Sequence, residues 1–472
     1  MEKVGVLVVS YGARAAAMID ALARSQDYRA EIYVADRQRN PFNLKKAKEH
    51  LVIPDLNIEQ ICKFTKRHKH AIDFGIVGPE KPIIEGVRDV VEEETGVPVI
   101  CPTKEYAIEA SKVAQRSLFE KVVPEVNPRF KVFDPNDYST VTKIKKAVGN
   151  WLDEIGNKVA VKPDHPAAGK GVGIWGDHFT TREELVDHFM SNIEYGPVIV
   201  EEKIEGEESS FQAFCDGKHL VPLPETRDYK RAFDGDKGPN TGGMGSYKGI
   251  GDVLPFMSTV DKEKEIKNVN RIFRELRKHA ASTDLRGVPF YTAFIHTGMG
   301  PKVLENNSRP GDPEIQNLLP LLKDDFVDIC YRMLEGDLTR VNFERKATVL
   351  IYKVPPNYGG FSNAFPERIR TDEGDTPVDL SQAEKLVEKH GDEIRIYPAS
   401  MELREDRNAY ALKSRAVCVV GAGDDIQEAR EVSLEGIEAI TGGALWNRTD
   451  IASEEHIRQS IEHMRKLRPP KR

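Results

Sequence analysis

The sequence VGVLVV at residues 4–9, which runs into SYGARAA at residues 10–16, decides the fold class of the first part of the chain. A continuous apolar run of this kind is typical of a strand that is buried on both faces. The strands and helices predicted in this part are residues 4–9, 15–24, 31–35, 71–77, 83–95 and 97–100. Their alternation with short turns predicts a doubly wound parallel sheet over about the first hundred residues.

Arg14 lies where the first strand of this sheet gives way to its helix. Ligands of doubly wound sheets bind beyond the carboxyl ends of the strands. Backbone amides at the start of a helix favour an anion, and a forked guanidinium suits a phosphate. We therefore expect residues 10–14 to face a substrate; the alternative is that Arg14 is a surface residue of the helix.

Composition limits the classes of function. The 472 residues suggest two to four domains, and the formal net charge of -8 argues against a general binder of nucleic acids or anionic membranes. No apolar run approaches the roughly 18 residues of a membrane span. The 5 cysteines are scattered and form no zinc pattern, which indicates thiols in a reducing cytoplasm.

The sequence KPDHPAAGKGVG at residues 162–173 has the character of a phosphate-binding loop. A strand delivers Lys162, and small residues then allow backbone N–H groups to approach phosphate oxygens. It is not a Walker loop, because its Gly-Lys pair is not followed by Ser or Thr. The alternative is a plain hairpin turn.

Two further segments place polar residues at strand ends. VIVEEKIEGEE at residues 198–208 can offer backbone groups to adenine and a carboxylate to ribose, although a solvated run of charges is the alternative. In KVLENNSRPGDPE at residues 302–314, Glu305 and Asn307 are two apart on a strand and face the same side. Their oxygens suit magnesium, and Arg309 can hold a carboxylate or phosphate.

The segment DYKRAFDGDKGPNTGGMGSY at residues 228–247 is rich in glycine and charge. We expect that it cannot build a core, and long loops of this kind are usually functional or disordered. The remaining predictions are strands at 130–133, 158–162, 197–202 and 210–214, paired central strands at 291–296 and 302–305, helices at 105–119, 141–151, 259–279, 314–335 and 425–441, a strand-rich tail from 348, and a frayed end at 465–472.

Taken together and in this order, these segments resemble the phosphoribosylamine–glycine ligase family of the ATP-grasp superfamily, with some archaeal character. The motifs that carry the resemblance are GPE at 78–80, PT at 102–103 before SK at 111–112, AAGKG at 167–171, GPNTGGMG at 238–245 and GDPE at 311–314. The tail resembles the family more weakly, chiefly over residues 410–441.

The resemblance implies an α/β fold with three domains. These are an N-terminal doubly wound parallel sheet domain that binds substrate (1–103), a central ATP-grasp domain (104–340) with a small mobile lobe at about 125–202, and a C-terminal α+β domain (341–472).

The resemblance also implies roles for individual residues. Those expected to bind ATP are Lys112, Lys162, Ala168, Gly169, Lys170, Gly171, Glu201, Lys203, Ile204 and Glu208, the last through ribose. Glu305 and Asn307 would bind Mg²⁺ or Mn²⁺. Lys162, Arg309 and Asp228 would act in catalysis, the last two also holding glycine. Those expected at the remaining substrate surface are Arg14, Gly78, Pro79, Glu80, Lys230, Gly242, Gly243 and Asp312.

The implied reaction joins glycine to 5-phosphoribosylamine through glycyl phosphate and forms glycinamide ribonucleotide, ADP and phosphate, a step of purine biosynthesis in the cytoplasm. The implied partners are these small molecules, and the protein would be a monomer or homo-oligomer. The first turn departs from the family pattern, since Ala15 and Ala16 replace Glu and His, and Pro310 replaces an aromatic residue. Two alternatives therefore remain: an ATP-grasp ligase with another amine substrate, and a non-catalytic nucleotide-binding homologue.

Overall fold

The computed structural model describes residues 1–164, 171–281, 283–356, 358 and 375–469. It contains a parallel N-terminal sheet, a small antiparallel lobe and a large antiparallel sheet, with helices packed against them. These features confirm the predicted α/β fold class.

The N-terminal part alternates strands and helices, as its apolar runs predict. Its elements are β1 (Glu2–Val9), α1 (Gly12–Ala23), β2 (Tyr28–Asp36), α2 (Pro41–Lys46), β3 (Glu49–Val52), α3 (Ile58–His68), β4 (Phe74–Val77), α4 (Glu80–Glu85), α5 (Val87–Thr95) and β5 (Val99–Ile100). The strands are parallel in the order β3-β2-β1-β4-β5. The order changes direction between β1 and β4, and such a switch point opens a crevice for ligands.

Local sequence explains where this part differs from expectation. Helix α1 begins at Gly12, earlier than predicted, because a φ of 71° there lets the chain turn straight into the helix. The single helix predicted at 83–95 is wrong, since Gly86 adopts a φ of 94° and divides it. The weakly apolar β3 and the helix α3 were not predicted.

A helix, α6 (Lys112–Val122), leads from the parallel sheet into the small lobe. The lobe consists of β6 (Phe130–Phe133), α7 (Val141–Ile155), β7 (Val159–Pro163), β8 (Gly173–Ile174), α8 (Arg182–Ile193) and β9 (Val198–Glu202). Its strands are antiparallel in the order β6-β9-β7-β8. Phe133, Val148 and Phe189 belong to a hydrophobic cluster confined to the lobe. The lobe therefore has a core of its own, whereas its mobility stays a prediction.

The large sheet begins in the central part of the chain. The elements there are β10 (Glu207–Asp216), β11 (Leu220–Pro222), β12 (Thr226–Asp228), β13 (Arg231–Phe233), β14 (Lys237–Asn240), β15 (Gly245–Lys248), α9 (Thr259–His279), β16 (Arg286–Thr297), β17 (Gly300–Asn307), α10 (Ile315–Leu318) and α11 (Phe326–Glu335). The C-terminal elements are β18 (Ala347–Lys353), α12 (Ser381–His390), β19 (Ile394–Pro398), β20 (Met401–Leu403), β21 (Ala409–Ala411), β22 (Val417–Gly423), α13 (Ile426–Glu438) and α14 (Glu454–Leu467).

The large sheet continues across the predicted domain boundary at residue 340. Its strand order is β17-β16-β10-β12-β15-β18-β22-β19, with β11 beside β10. Strand β15 pairs with β18 from Gly245 opposite Ile351 to Lys248 opposite Thr348. Backbone hydrogen bonds thus join the C-terminal strands to the central sheet, and the domain boundaries stay a prediction.

Several predictions about the second half of the chain are wrong in detail. Residues 228–247 form the hairpin β13–β14 and strand β15, and Tyr229, Phe233 and Met244 are buried among the core residues. Strand β17 pairs with β16 as expected but lies at the edge of the sheet. The helix predicted at 314–335 is divided, because Pro320 lies in a short 3-10 turn between α10 and α11.

Two further segments also differ from the prediction. Residues 104–110 form two 3-10 turns ahead of α6. Helix α14 extends to Leu467, so the basic end is ordered further than predicted. Among the described helices, none combines the length and the apolar character that a membrane crossing requires.

Candidate active site

Strand β17 carries the two residues expected to bind a metal ion. Glu305 and Asn307 are separated by one residue and share a face of the strand. The amide of Asn307 makes its best hydrogen bonds when its nitrogen faces Glu109 Oε2 and Asn306 O, each at 3.2 Å. In that orientation the amide oxygen takes the position that lies 3.4 Å from Glu305 Oε1. Two adjacent oxygens are suited to a hard cation.

This pair fits a metal ion that arrives with a nucleotide. Among the described residues, no group of three or more His, Cys, Asp or Glu side chains is arranged to hold a metal ion by itself. Mg²⁺ in nucleotide-dependent enzymes commonly takes one or two protein carboxylates and completes its shell with phosphate and water oxygens. Glu305 and Asn307 have the oxygens that the protein share of such a shell would need.

Glu305 is a charged carboxylate at the centre of a basic environment. Burial opposes its ionisation, but Lys230, Lys162, Lys112 and Arg309 together lower its pKa below the usual value. The residue therefore connects two sets of basic groups: the lysines expected near ATP and the arginine expected near glycine.

Lys162 is held in place by a buried carboxylate that also binds an arginine. Its Nζ lies 2.5 Å from Glu201 Oε1, and Arg116 bonds the same carboxylate through Nε at 2.7 Å and Nη2 at 3.0 Å. Burial opposes the ionisation of Glu201, yet Arg116 and Lys162 hold its pKa at about 2. Lys112 begins α6 nearby, where burial lowers its pKa and Glu305 opposes the shift.

The other residues expected around ATP lie on the turn after β9 and the start of β10. Lys203 Nζ donates to Trp175 O at 2.7 Å, which ties this turn to the lobe. Ile204 is half-buried in the same turn. Glu208 accepts from Lys230 Nζ at 2.6 Å. The roles of these residues, and of Glu201, toward adenine and ribose stay predictions.

The glycine-rich loop lies only partly within the described residues. Ala168, Gly169 and Lys170 fall outside them, whereas Gly171 has a φ of 89°, which L side chains rarely adopt. A Cβ at Gly171 would lie 3.1 Å from the ring of Pro163. The backbone at this end of the loop therefore favours glycine, as a close approach to phosphate would require.

Asp228 is a half-buried carboxylate that has no cation at hydrogen-bonding distance within the part of the chain that the structure describes. Its Oδ1 has no hydrogen-bond partner among the described residues. Burial and the neighbouring Glu314 raise its pKa, while Lys230 and Arg415 oppose the shift. Gly243 packs against it so closely that a Cβ there would lie 2.5 Å from Oδ1. This oxygen is placed to receive an ammonium group from a ligand.

Arg309 lies between two carboxylates at the end of β17. Its Nε is 3.4 Å from Glu109 Oε2 and 3.6 Å from Glu80 Oε2. Burial raises the pKa of Glu109 to about 7. Burial also opposes the ionisation of Glu80, but Arg309 and Arg14 lower its pKa. The motif at 78–80 and the arginine are thus in one cluster.

The crevice between β1 and β4 holds unsatisfied donors. Arg14 is 3% exposed; its Nη1 donates to Pro310 O at 3.0 Å. Its Nε and the hydroxyl of Ser10 have no hydrogen-bond partner among the described residues. A Cβ at Gly78 would lie 2.3 Å from Ser10 Oγ and 3.1 Å from Arg14 Nε. Buried donors beside the N-terminus of α1 favour an anion.

Asp312 is fixed by a residue from the C-terminal part of the chain. Arg415 Nη2 lies 3.0 Å from Asp312 Oδ1, which also accepts from Gln316 Nε2 at 2.9 Å and from Tyr352 OH at 3.2 Å. The Nη1 of Arg415 donates to Gly242 O at 2.5 Å. The predicted substrate residues Gly242, Gly243 and Asp312 are therefore brought together by a side chain that the sequence did not single out.

Three residues of the site were missed, and only one had a usable signal. Arg116 follows Lys112 by one helical turn, so both occupy one face of α6. Glu109 stands in a run of charged and apolar residues without a pattern. Arg415 lies in the tail, about 100 residues beyond the site motifs, and only the fold brings it to Asp312.

Comparison with known families gives two adjoining matches. The model described as "Phosphoribosylglycinamide synthetase, N domain" matches residues 4–109. The model described as "Phosphoribosylglycinamide synthetase, ATP-grasp (A) domain" matches residues 100–315. The two matches include the parallel sheet, the lobe and strand β17 with Glu305 and Asn307.

Similar proteins span the whole length of the chain. The phosphoribosylamine–glycine ligase of Methanocella arvoryzae is 37% identical over 470 residues, which cover 98% of this chain and 99% of that protein. The enzyme of the same name from Thermococcus kodakarensis is 35% identical, with 98% and 99% covered. The crystal structure of phosphoribosylamine–glycine ligase from Thermotoga maritima has the same fold, with a TM-score of 0.73 at 23% identity over 95% of this chain and 100% of that one. The chain belongs to the phosphoribosylglycinamide synthetase family of ATP-grasp ligases.

Proposed function

We propose that this chain joins glycine to 5-phosphoribosylamine at the expense of ATP, through glycyl phosphate. The observation that carries the proposal is the position of Glu305, whose pKa is lowered by Lys230, Lys162, Lys112 and Arg309 together. In this proposal one carboxylate would lie between the lysines assigned to ATP and the arginine assigned to glycine. Family membership supports the same activity.

In the first step, the carboxylate of glycine attacks the γ-phosphorus of ATP, and the bond to ADP breaks. Lys112 and Lys162 neutralise the phosphate oxygens, and Arg309 orients the attacking carboxylate. Asp228 accepts hydrogen bonds from the ammonium of glycine. When bound, Mg²⁺ or Mn²⁺ neutralises phosphate charge, and Glu305 and Asn307 are the residues that would hold it.

In the second step, the amine of phosphoribosylamine attacks the acyl carbon and phosphate leaves. The carbon–nitrogen bond forms as the carbon–oxygen bond to phosphate breaks, and the amine releases a proton. Ser10 and Arg14 hold the phosphate of this substrate in the crevice beside Gly78, and Glu80 faces its ribose. Water must be kept from the acyl phosphate, which closure of the small lobe over the site would achieve.

An isotope experiment tests the acyl phosphate. Glycine labelled with ¹⁸O in its carboxylate is incubated with ATP, phosphoribosylamine and the enzyme. The account predicts one labelled oxygen in each phosphate released, because the carboxylate oxygen becomes the bridge to phosphorus. Unlabelled phosphate would contradict it.

Asp228→Asn is expected to raise the Michaelis constant for glycine by roughly ten- to hundredfold. The substitution keeps the shape and removes the charge that would bind the ammonium, a loss of about 1.5–3 kcal/mol for a charged hydrogen bond. Steady-state kinetics with each substrate varied in turn would measure it.

In Asp228→Asn, the Michaelis constant for ATP serves as the internal reference and should stay within about twofold of the wild-type value. The matched control is Asp187→Asn, at an exposed position on α8. Its constants for glycine and ATP should both stay within about twofold of the wild type, since surface changes away from a site have small effects. Equal rises for glycine and ATP would show that Asp228 does not hold glycine in particular.

A further inference from the structure

Five consecutive residues from Arg227 to Arg231 divide between two environments. Asp228 and Lys230 face the site, where Lys230 bonds Glu208 at 2.6 Å. The side chains of Arg227 and Tyr229 contact the C-terminal part of the chain instead. Arg231 contacts it through its backbone carbonyl, while its side chain binds Asp177 and Gly238 O. For residues 227–230, alternation along extended backbone explains the division, because successive side chains point to opposite faces.

Arg227, Tyr229 and Arg231 each have a hydrogen-bond partner in residues 448–460. Arg227 Nη1 donates to Ser460 Oγ at 2.7 Å. The carbonyl of Arg231 accepts from Arg448 Nη1 at 3.0 Å. The Tyr229 hydroxyl accepts from the backbone N–H of Ala452 at 3.0 Å. Residues 448–460 therefore hold the segment that contains Asp228 and Lys230 at three points: Arg227, Tyr229 and Arg231.

A chain of hydrogen bonds connects Tyr229 to the tip of the hairpin β13–β14. The Tyr229 hydroxyl also lies 3.2 Å from His456 Nδ1, and the direction of this hydrogen bond follows the tautomer of His456. His456 Nε2 then lies 2.9 Å from Asp236 Oδ2. With its proton on Nε2, His456 accepts from the Tyr229 hydroxyl and donates to Asp236, which satisfies every group in the chain. Tyr229 is only 2% exposed.

The tip of the hairpin is held at each of its three residues. Thr449 binds Asp234 through its backbone N–H at 2.9 Å and its hydroxyl at 2.7 Å. The backbone N–H of Gly235 donates to Asp450 Oδ2 at 2.8 Å. Arg448, which is 1% exposed, donates to Asp236 Oδ1 at 2.9 Å. So many charged hydrogen bonds on one short turn fix its position.

The hairpin tip lies between the two strands that lead to the site. Strand β13 follows Asp228 and Lys230, and β14 leads into Gly242 and Gly243. A shift of the tip would therefore move both sides of the pocket proposed for glycine. A displacement of about 1 Å at such a distance from the chemistry can cost about a hundredfold in rate.

We propose that residues 448–460, the C-terminal clamp, position Asp228 and Lys230 for glycine. This inference rests on the proposed role of Asp228 toward glycine. The clamp residues do not touch the substrate; they act through the backbone of 227–243. Affinity for glycine thus depends on a segment that is about 220 residues away along the chain.

Asp236→Asn tests the clamp, because it removes the charge that Arg448 and His456 share while keeping the size of the side chain. We expect the Michaelis constant for glycine to rise about tenfold and that for ATP to change less than twofold. Asp236→Glu, which restores the charge, should recover part of the affinity. Tyr229→Phe removes only the hydroxyl and serves as a second variant with the same expected split.

The control is Glu431→Gln on the exposed surface of α13, outside the clamp, which should leave both constants unchanged. Two results with Asp236→Asn would contradict the clamp proposal. In the first, the Michaelis constants for glycine and ATP are both unaltered; in the second, they rise together. Asp228→Asn measured beside these variants separates the two ideas. If Asp228→Asn weakens glycine and neither clamp variant does, the clamp alone fails; if Asp228→Asn has no effect, the proposed glycine site fails.

Discussion

Glu305→Ala is expected to reduce turnover by about a thousandfold or more. The carboxylate is the charged member of the metal pair on β17, and a metal ion contributes several kcal/mol of charge stabilisation during phosphoryl transfer. Its removal would also leave the positive charges of Lys230, Lys162, Lys112 and Arg309 without their common neighbour. The measurement is ADP release at saturating substrates over a range of Mg²⁺ concentrations.

The fold should survive this substitution. Strand β17 is held by its backbone pairing with β16 and by the buried Val303, neither of which involves the carboxylate. The circular dichroism spectrum and the melting temperature should therefore stay close to those of the wild type. Glu335→Ala, at the exposed end of α11, is the matched control. Near-normal turnover of Glu305→Ala at saturating Mg²⁺ would refute the metal assignment.

Arg14→Ala is expected to raise the Michaelis constant for phosphoribosylamine by roughly ten- to hundredfold. One charge-assisted hydrogen bond is worth about 1.5–3 kcal/mol, and each 1.36 kcal/mol is about tenfold. Arg14 Nε and Ser10 Oγ are buried donors without a hydrogen-bond partner among the described residues, so a phosphate there would satisfy both. The constants for ATP and glycine should change little.

Arg14→Lys separates charge from geometry. Lysine keeps the positive charge but cannot reproduce the forked donors, so an intermediate constant is expected. Both variants also lose or alter the contact of Arg14 with Pro310 O, and their melting temperatures should be measured for that reason. Unaltered kinetics with phosphoribosylamine would mean that the phosphate is held elsewhere.

The sequence predicted the N-terminal sheet and the shared strand face of Glu305 and Asn307 because local patterns determine both. The apolar run at 4–9 is buried almost entirely, as a parallel strand requires. The spacing of Glu305 and Asn307 on one strand was enough to predict a shared face, and the structure has them adjacent. In both cases the pattern of neighbouring residues is sufficient for the prediction.

Contacts between distant segments were not predictable in the same way. Residues 228–247 were predicted as a loop because glycine and charged residues dominate them. In the structure they form strands with buried aromatic residues, which pack against Trp446 and other C-terminal residues. The groups that hold Asp312 and Asp236, namely Arg415, Arg448 and His456, come from the tail. Tertiary packing overrides local propensity here.

The altered first turn bears on the amine substrate. Ala15 and Ala16, which replace Glu and His of the family pattern, are fully buried inside α1. They contribute no polar group to the crevice, whereas Ser10 and Arg14 do. An ATP-grasp ligase for another amine is thus the alternative that needs a direct experiment.

That experiment is the release of ADP by the wild-type enzyme with ATP, Mg²⁺ and glycine, measured with and without freshly prepared phosphoribosylamine. The account predicts rapid ADP release only when phosphoribosylamine is present, with one glycinamide ribonucleotide formed for each ADP. Rapid ligation of another amine, with no product from phosphoribosylamine, would contradict it.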